Sequence, residues 1–257
     1  MEIISPFMMV FVVAMAGLAG FIDSIAGGGG IITLPAYLFA GIPPHNAYAI
    51  NKFAASSGTS LAVINYFKSG AMDLKAALIA AVGSGIGSAI AANIVLLMSE
   101  EFLKLFILCV IPVAAIIIFT QKNKPDINRV EPGMSPKKVA LAFFIGFIVG
   151  GYDGIAGPGT GTFAIIAFST IMHYDLLTAG GNAKILNLAS NLAALVTFLL
   201  QGLVIFKIAI PCAIASIVGT QIGSHMALKR GAKFIRPMML VVVTLMMIKV
   251  LFDLIAG

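Results

Sequence analysis

Charge is what this sequence has least of. Only 10% of its 257 residues are Asp, Glu, Lys or Arg, while 60% are hydrophobic; soluble domains carry roughly 25% charged residues. Too few polar side chains remain to cover a water-facing surface, which excludes a soluble enzyme, a disordered chain and a coiled coil. A mean hydropathy of +1.07 agrees. Cysteine is nearly as sparse. Cys109 and Cys212 lie far apart in apolar runs, with no Cys-x-x-Cys and no His-rich tract, so no disulfide, metal or other cofactor is expected and both thiols are packing residues. His-Glu-x-x-His and Gly-x-Ser-x-Gly are missing too, which removes two common hydrolase signatures. The net charge of +6 is not gathered into a basic stripe with aromatics; its positives sit between apolar runs, where they set topology rather than hold nucleic acid. Met1–Ser5 has no basic residue, so the apolar start is a first membrane segment and not a signal peptide.

What remains is apolar sequence in long blocks. A helix needs about 20 residues to cross a bilayer, and on that measure long helices are predicted near 6–26, 46–67, 74–97, 102–120, 138–156, 177–200, 206–228 and 235–254. Two shorter stretches, 31–41 and 161–172, each follow a glycine-rich break: Gly27-Gly28-Gly29-Gly30, and Gly157-Pro158-Gly159-Thr160-Gly161. Glycine is entropically costly inside a helix and proline lacks the donor, so both breaks stop one.

The blocks form a duplication. Gly20-Phe-Ile-Asp23-Ser-Ile-Ala-Gly27 matches Gly150-Gly-Tyr-Asp153-Gly-Ile-Ala-Gly157 at an offset of 130. From Lys52 the offset is 132, placing Lys52 on Lys184, Ser84 on Ser216 and Gly87 on Gly219. Matched Asp, Lys and Gly carry weight in a composition where apolar coincidences are common. The fold class expected is therefore all-α, a polytopic membrane helical bundle of two five-segment repeats, each of four long helices plus one short half-helix. Residues 1–120 form the first repeat, 121–137 a cytoplasmic linker and 138–257 the second, all in one structural unit.

Charge gives the repeats a direction. The central loop carries Lys122, Lys124, Arg129, Lys137 and Lys138, and the last loop carries Lys229, Arg230, Lys233 and Arg236; both should be cytoplasmic. An even number of crossings must then join them, so each half crosses an odd number of times and the repeats are inverted. The acidic Ser99-Glu100-Glu101 loop with Lys104, and the Lys68–Lys75 loop with its two lysines, fit outside and inside respectively. Both termini come out non-cytoplasmic.

Asp23-Ser-Ile-Ala-Gly-Gly-Gly-Gly-Ile-Ile-Thr-Leu-Pro35, Gly41-Ile-Pro-Pro-His and Asn51-Lys52-Phe resemble the first-half signature of the TauE/SafE sulfite-exporter family. Tyr152-Asp153-Gly154, Gly157-Pro-Gly-Thr-Gly161 and Lys184-Ile-Leu-Asn187-Leu-Ala-Ser-Asn191 are similar to its second half. The resemblance spans essentially the whole chain and implies a prokaryotic-type cytoplasmic (inner) membrane transporter of sulfite, sulfonates or related organic anions.

The residues point the same way on their own. Inverted repeats with interrupted helices are how secondary transporters build a site near the midplane, because backbone freed by a break needs protein or a wet cavity to receive it. The short helices start at Ile31 and near Thr162, and helix N-termini attract anions. Gly28, Gly29, Gly30 and Ile31, with Gly159, Thr160, Gly161 and Thr162, are the candidate substrate-binding segments. Gly83, Gly85, Gly87, Gly219 and Gly223 are assigned to helix packing.

Lys52 and Lys184 lie about two turns inside their helices, as anion attractors or as snorkelling side chains. Asn51, Asn187 and Asn191 are candidate cavity amides; Asn187 and Asn191 share a helix face with Lys184. Asp23 and Asp153 are intramembrane carboxylates, functional candidates by default. Burial favours a carboxyl's neutral form, so both are proton-coupling candidates; capping of the broken helices or pairing with the lysines is the equal alternative. His45, His173 and His225 read as satisfied polar residues, and Asp175 and Lys249 as interfacial.

Expected partners are a small anionic substrate and the lipid bilayer, without nucleic acid. A homodimer is compatible with these residues and not required by them. An anion channel would need the same cavity. An intramembrane aspartyl protease would need two carboxylates sharing a proton; its usual Gly-x-Gly-Asp is absent, since Gly20-Phe-Ile precedes Asp23.

Overall fold

Backbone buried in so apolar a chain must satisfy its own polar groups, and helices do this within one segment. The computed structural model describes residues 4–99, 102, 135–155 and 157–256. Every regular element among them is helical: α1 Pro6–Ala26, α2 Gly30–Phe39, α3 Pro44–Lys68, α4 Leu74–Leu97, α5 Pro136–Ile155, α6 Thr160–Thr170, α7 Leu176–Leu200, α8 Phe206–Arg230 and α9 Ala232–Ala256. Helices α1, α4, α5, α7 and α8 are long and apolar enough to cross a membrane, and Phe7, Phe39, Leu97, Ile148 and Leu200 turn large apolar side chains outward. The protein is a multi-pass membrane helical bundle. The expected helix over 102–120 beyond Phe102, most of the 121–137 linker, Glu100, Glu101, Lys104, Cys109 and the side chain of Lys249 lie outside the described residues.

Local chemistry sets the boundaries. Ser5 caps α1, accepting from the Met8 N–H at 3.3 Å, with Pro6 in the first turn. Asp73 caps α4 and Asp175 caps α7 through paired N–H contacts. Where the linker was expected to run to 137, Pro136 and Lys137 instead open α5, because the Ser135 hydroxyl accepts from the Lys138 N–H at 3.3 Å. Pro44 starts α3 two residues ahead of expectation because its ring suits a first turn, and this brings His45 into the helix.

The halves interlock. Helix α1 runs beside α8 in the same direction, Gly17 against Gly219, Gly20 against Ser216 and Gly223 against Ser24. Helix α5 runs beside α4 likewise, Gly146 against Ala80, Gly150 against Ser84 and Gly154 against Ser88. These glycines let backbones touch; a Cβ on Gly154 would stand 2.6 Å from the Ala91 Cβ. Gly83, Gly87, Gly219 and Gly223 belong to the two seams, but Gly85 does not: among the described residues a Cβ there meets nothing within 4 Å. Two residues turn a helix by about 200°, so Gly85 lies on the face opposite Gly83 and the packing assignment is corrected for it.

Helix α4 also runs parallel to α7, bonded by Ser84 Oγ to the Leu186 carbonyl at 2.8 Å and Ser88 Oγ to the Ser190 carbonyl at 2.7 Å. Helix α3 runs parallel to α8, with Gly58 beside Ser216 and Thr220 and Asn65 Nδ2 donating to Ser224 Oγ at 2.8 Å. Against α7, by contrast, α3 is antiparallel: Lys52 meets Asn191 while Tyr66 meets Gly180. Helices α1, α3 and α8 therefore run one way, and α4, α5 and α7 the other. At one end of the bundle the Asp73 N–H donates to Asn182 Oδ1 at 2.8 Å and Tyr174 OH donates to Asp73 Oδ2 at 2.6 Å, tying the two halves across their loops.

Candidate functional site

Glycine is required in both breaks. Gly27 and Gly28 have φ of 79° and 97°, and Gly157 and Gly159 have 75° and 81°, a region in which a Cβ is strained. The breaks lie on each other. Gly27 abuts Gly161, where a Cβ would stand 2.5 Å from the Gly27 Cα, and Gly30 lies over Gly157. Thr162 Oγ1 donates to the Ala26 carbonyl at 2.8 Å, so the second half closes the end of α1. The Ile31 and Thr160 N–H groups turn back on the Gly28 and Gly157 carbonyls at 3.0 and 3.3 Å.

The lysines cross from one half into the other. Lys52, 1% exposed, donates to the main-chain carbonyl of Asp153 at 2.8 Å, to its Oδ2 at 2.6 Å and to Asn191 Oδ1 at 3.1 Å. The remaining Asp153 oxygen accepts from Thr160 Oγ1 at 2.8 Å. Lys184, equally buried, donates to the main-chain carbonyl of Asp23. Each ammonium thus neutralises the carbonyl-rich end of a broken helix, where the dipole favours a cation. The carboxylates differ. That of Asp23 accepts from the Gly29 N–H at 3.2 Å and lies 3.5 Å from Asn187 Nδ2, and it has no ion pair among the described residues. Asn191 Nδ2 donates to Asn187 Oδ1 at 3.3 Å. One polar chain therefore runs from Asp153 through Lys52, Asn191 and Asn187 to Asp23.

A cavity opens between α1, α3, α8 and the two breaks. Of the residues expected at a site, Asp23, Gly29, Gly30 and Asn51 line it from the first half. Asp153, Thr160, Asn187 and Asn191 line it from the second. Lys52 and Lys184 stand behind this lining, as do Gly28, Ile31, Gly159, Gly161 and Thr162. The glycine tips are thus packed on one side and open on the other.

Four hydroxyls on the wall were not among the expected site residues: Thr33, Thr59, Ser216 and Thr220. Thr33 Oγ1 donates to Asn51 Oδ1 at 2.6 Å, and Thr220 Oγ1 to the Gly20 carbonyl at 3.2 Å. Thr59, 2% exposed, has no hydrogen-bond partner for its Oγ1 among the described residues. A usable signal existed: at the offset of 132, Thr59 is the counterpart of Asn191 and Thr220 that of Ser88. The assembled site is a polar chamber in an apolar bundle. Its walls carry neutral donors, the Asp153 carboxylate neutralised by Lys52 from behind, and the Asp23 carboxylate, which makes no salt bridge among the described residues.

Comparison with known proteins agrees with this architecture. Residues 12–250 match the sequence profile of the family described as Sulfite exporter TauE/SafE. A probable membrane transporter protein of Sinorhizobium sp, ORF9, is 35% identical over 249 residues, covering 96% of this chain and 93% of the relative. The probable membrane transporter protein YfcA of Escherichia coli K12 is 34% identical over 252 residues, covering 97% and 92%. A probable membrane transporter protein of Haemophilus influenzae is 31% identical over 237 residues. No solved structure matches the chain.

Proposed function

Because this chain belongs to the Sulfite exporter TauE/SafE family of membrane transporters, we propose that it is a secondary transporter of small anions of the sulfite, sulfonate or carboxylate class. The observation that carries this reading is the polar cavity bounded by two glycine breaks inside an apolar bundle. Broken helices persist at membrane depth only where protein or a water-filled cavity receives their backbone, and substrate sites of secondary transporters have this form.

Access alternates by rocking of one inverted repeat against the other. Three features support this: the opposite directions of α1 and α5, the exchange of partners between halves, and an asymmetry between equivalent seams. On one side Ser84 and Ser88 hold α4 to α7. On the other, their counterparts Ser216 and Thr220 face the cavity, and Thr220 bonds to α1 rather than α3. Rocking closes α8 on α3 and releases α4 from α7, carrying the cavity to the other face. Asp23 and Asp153 are the ionisable groups through which protons couple to that motion. The loop charges support an inner-membrane location with both termini non-cytoplasmic. The protease alternative loses support, since Asp153 is paired with Lys52 and makes no hydrogen bond to Asp23.

Reconstituted protein should take up labelled sulfite, sulfoacetate, taurine or a 2-oxo acid, and unlabelled substrate inside the vesicles should accelerate that uptake. Flux without trans-stimulation would make the protein a channel. Flux of none of these, with no thermal stabilisation by any of them, overturns the anion reading.

A further inference from the structure

The aspartates and lysines duplicated in the sequence are not equivalent in the structure, and the difference bears on what the chamber binds. Neither lysine lines the chamber: Lys52 gives its three N–H groups to the carbonyl and carboxylate of Asp153 and to Asn191, and Lys184 stands behind the wall on the Asp23 carbonyl. The chamber therefore presents no ammonium on its walls. Its spare donors are neutral. Thr59 Oγ1 is buried without a partner among the described residues, an arrangement that burial penalises unless a ligand completes it. Ser216 Oγ sits across from it on α8, beside Gly58. Asn51 has its oxygen engaged by Thr33, which leaves its amide nitrogen to donate.

The same chamber holds the Asp23 carboxylate. The charged groups facing it are Lys184 from α7, which sits on its main chain, and the self-neutralised Lys52–Asp153 pair of α3 and α5. Asn187 of α7 and Gly29 at the entry to α2 offer it N–H donors, and the α8 wall contributes only Ser216 and Thr220. An anion entering here meets a like charge at close range in a site of low dielectric, an arrangement that is opposed until one of the two is neutralised.

We propose that the anion seats on the neutral donors Asn51, Thr59 and Ser216 and that Asp23 takes up a proton with it, so that the protein moves an oxyanion and a proton together. Asp153 is the silent member of the pair in this state. The proposal rests on the transport reading and adds to it the identity of the co-bound ion and the neutral character of the anion subsite. By linkage, the anion must favour protonation of Asp23 as much as the proton favours the anion.

The test is infrared difference spectroscopy of the full chain in lipid, titrated from pH 8 to 5 with and without methanesulfonate, which stays ionised throughout, and with sulfite as second probe. Expected is a protonated-carboxyl band that is lost in Asp23→Asn, kept in Asp153→Asn, and grows at fixed pH when either anion is added. Thr59→Val and Ser216→Ala should each weaken anion binding about tenfold, the scale of one hydrogen bond to a charged group. A band that survives Asp23→Asn, a band that neither anion changes, or unaltered affinity in both hydroxyl variants overturns the proposal. Vesicle flux separates the two failures: flux with an unresponsive band sinks the proton co-binding alone, whereas absent flux sinks the transport reading.

Discussion

Lys52 Nζ lies 2.6 Å from Asp153 Oδ2, with 1% and 4% of the two side chains exposed, while the equivalent Lys184 reaches only the main chain of Asp23. The first pair joins the halves at the very point where α5 ends. Losing one partner strands a buried charge, so Lys52→Met should destabilise the protein by about 3–5 kcal/mol. Adding Asp153→Leu should restore much of that loss. Unfolding midpoints of the two variants in detergent check this; equal midpoints would mean the pair is not buried as described.

The two kinds of glycine in α4 make opposite claims. Gly87 is pressed on the Phe147 and Gly151 backbone, and Gly87→Ala should cost about 1–3 kcal/mol through overpacking. Gly85 meets nothing within 4 Å among the described residues, so Gly85→Ala should stabilise by about 0.5–1 kcal/mol through helix propensity. Thermal unfolding of the two variants side by side reads the sign directly.

Ala55 lines the chamber from α3, while Ala62 on the same helix is 1% exposed and stands outside the lining. In a chain whose own cysteines are replaced, Ala55→Cys should react with a water-soluble thiol reagent and Ala62→Cys should not. Bound sulfite should slow the reaction at position 55. Equal labelling of both positions would place the cavity elsewhere.

Burial, and then the hydrogen bond and negative charge of Asp73, push the Tyr174 phenol above the usual tyrosine range. The folded protein therefore holds that proton better than the unfolded chain does. Its contribution is complete below the unfolded value of about 10 and fades as pH rises beyond it. Tyr174→Phe should cost about 1–3 kcal/mol at pH 7 and flatten the fall in stability above pH 10, measured by unfolding across pH.

Much of this was legible in the sequence, and the reasons are physical. Helix limits followed from apolar run length, because lipid leaves a spanning segment few other options; the caps Ser5, Asp73 and Asp175 emerged only in the fold. The breaks were legible because four consecutive glycines have no other use in an apolar run. The duplication put Asp23 with Asp153 and Lys52 with Lys184. It could not say that each lysine would cross to the other half's aspartate, since partner choice depends on α3 and α7 lying antiparallel in the centre. Nor did it expose Thr59 or Ser216. A hydroxyl in an apolar helix usually bonds back to its own turn, and only the fold distinguishes one that faces a chamber.

The exchange of partners between halves has a consequence for how the chain is made. When a ribosome has delivered residues up to the end of α4, the glycine face of α1 has no α8 to meet and that of α4 has no α5. The nascent first half must wait in the bilayer with its seams filled by lipid or held by an insertion factor. A message truncated midway should leave a product that quality-control proteases remove, and the two halves expressed as separate polypeptides should accumulate only when each is synthesised in the presence of the other.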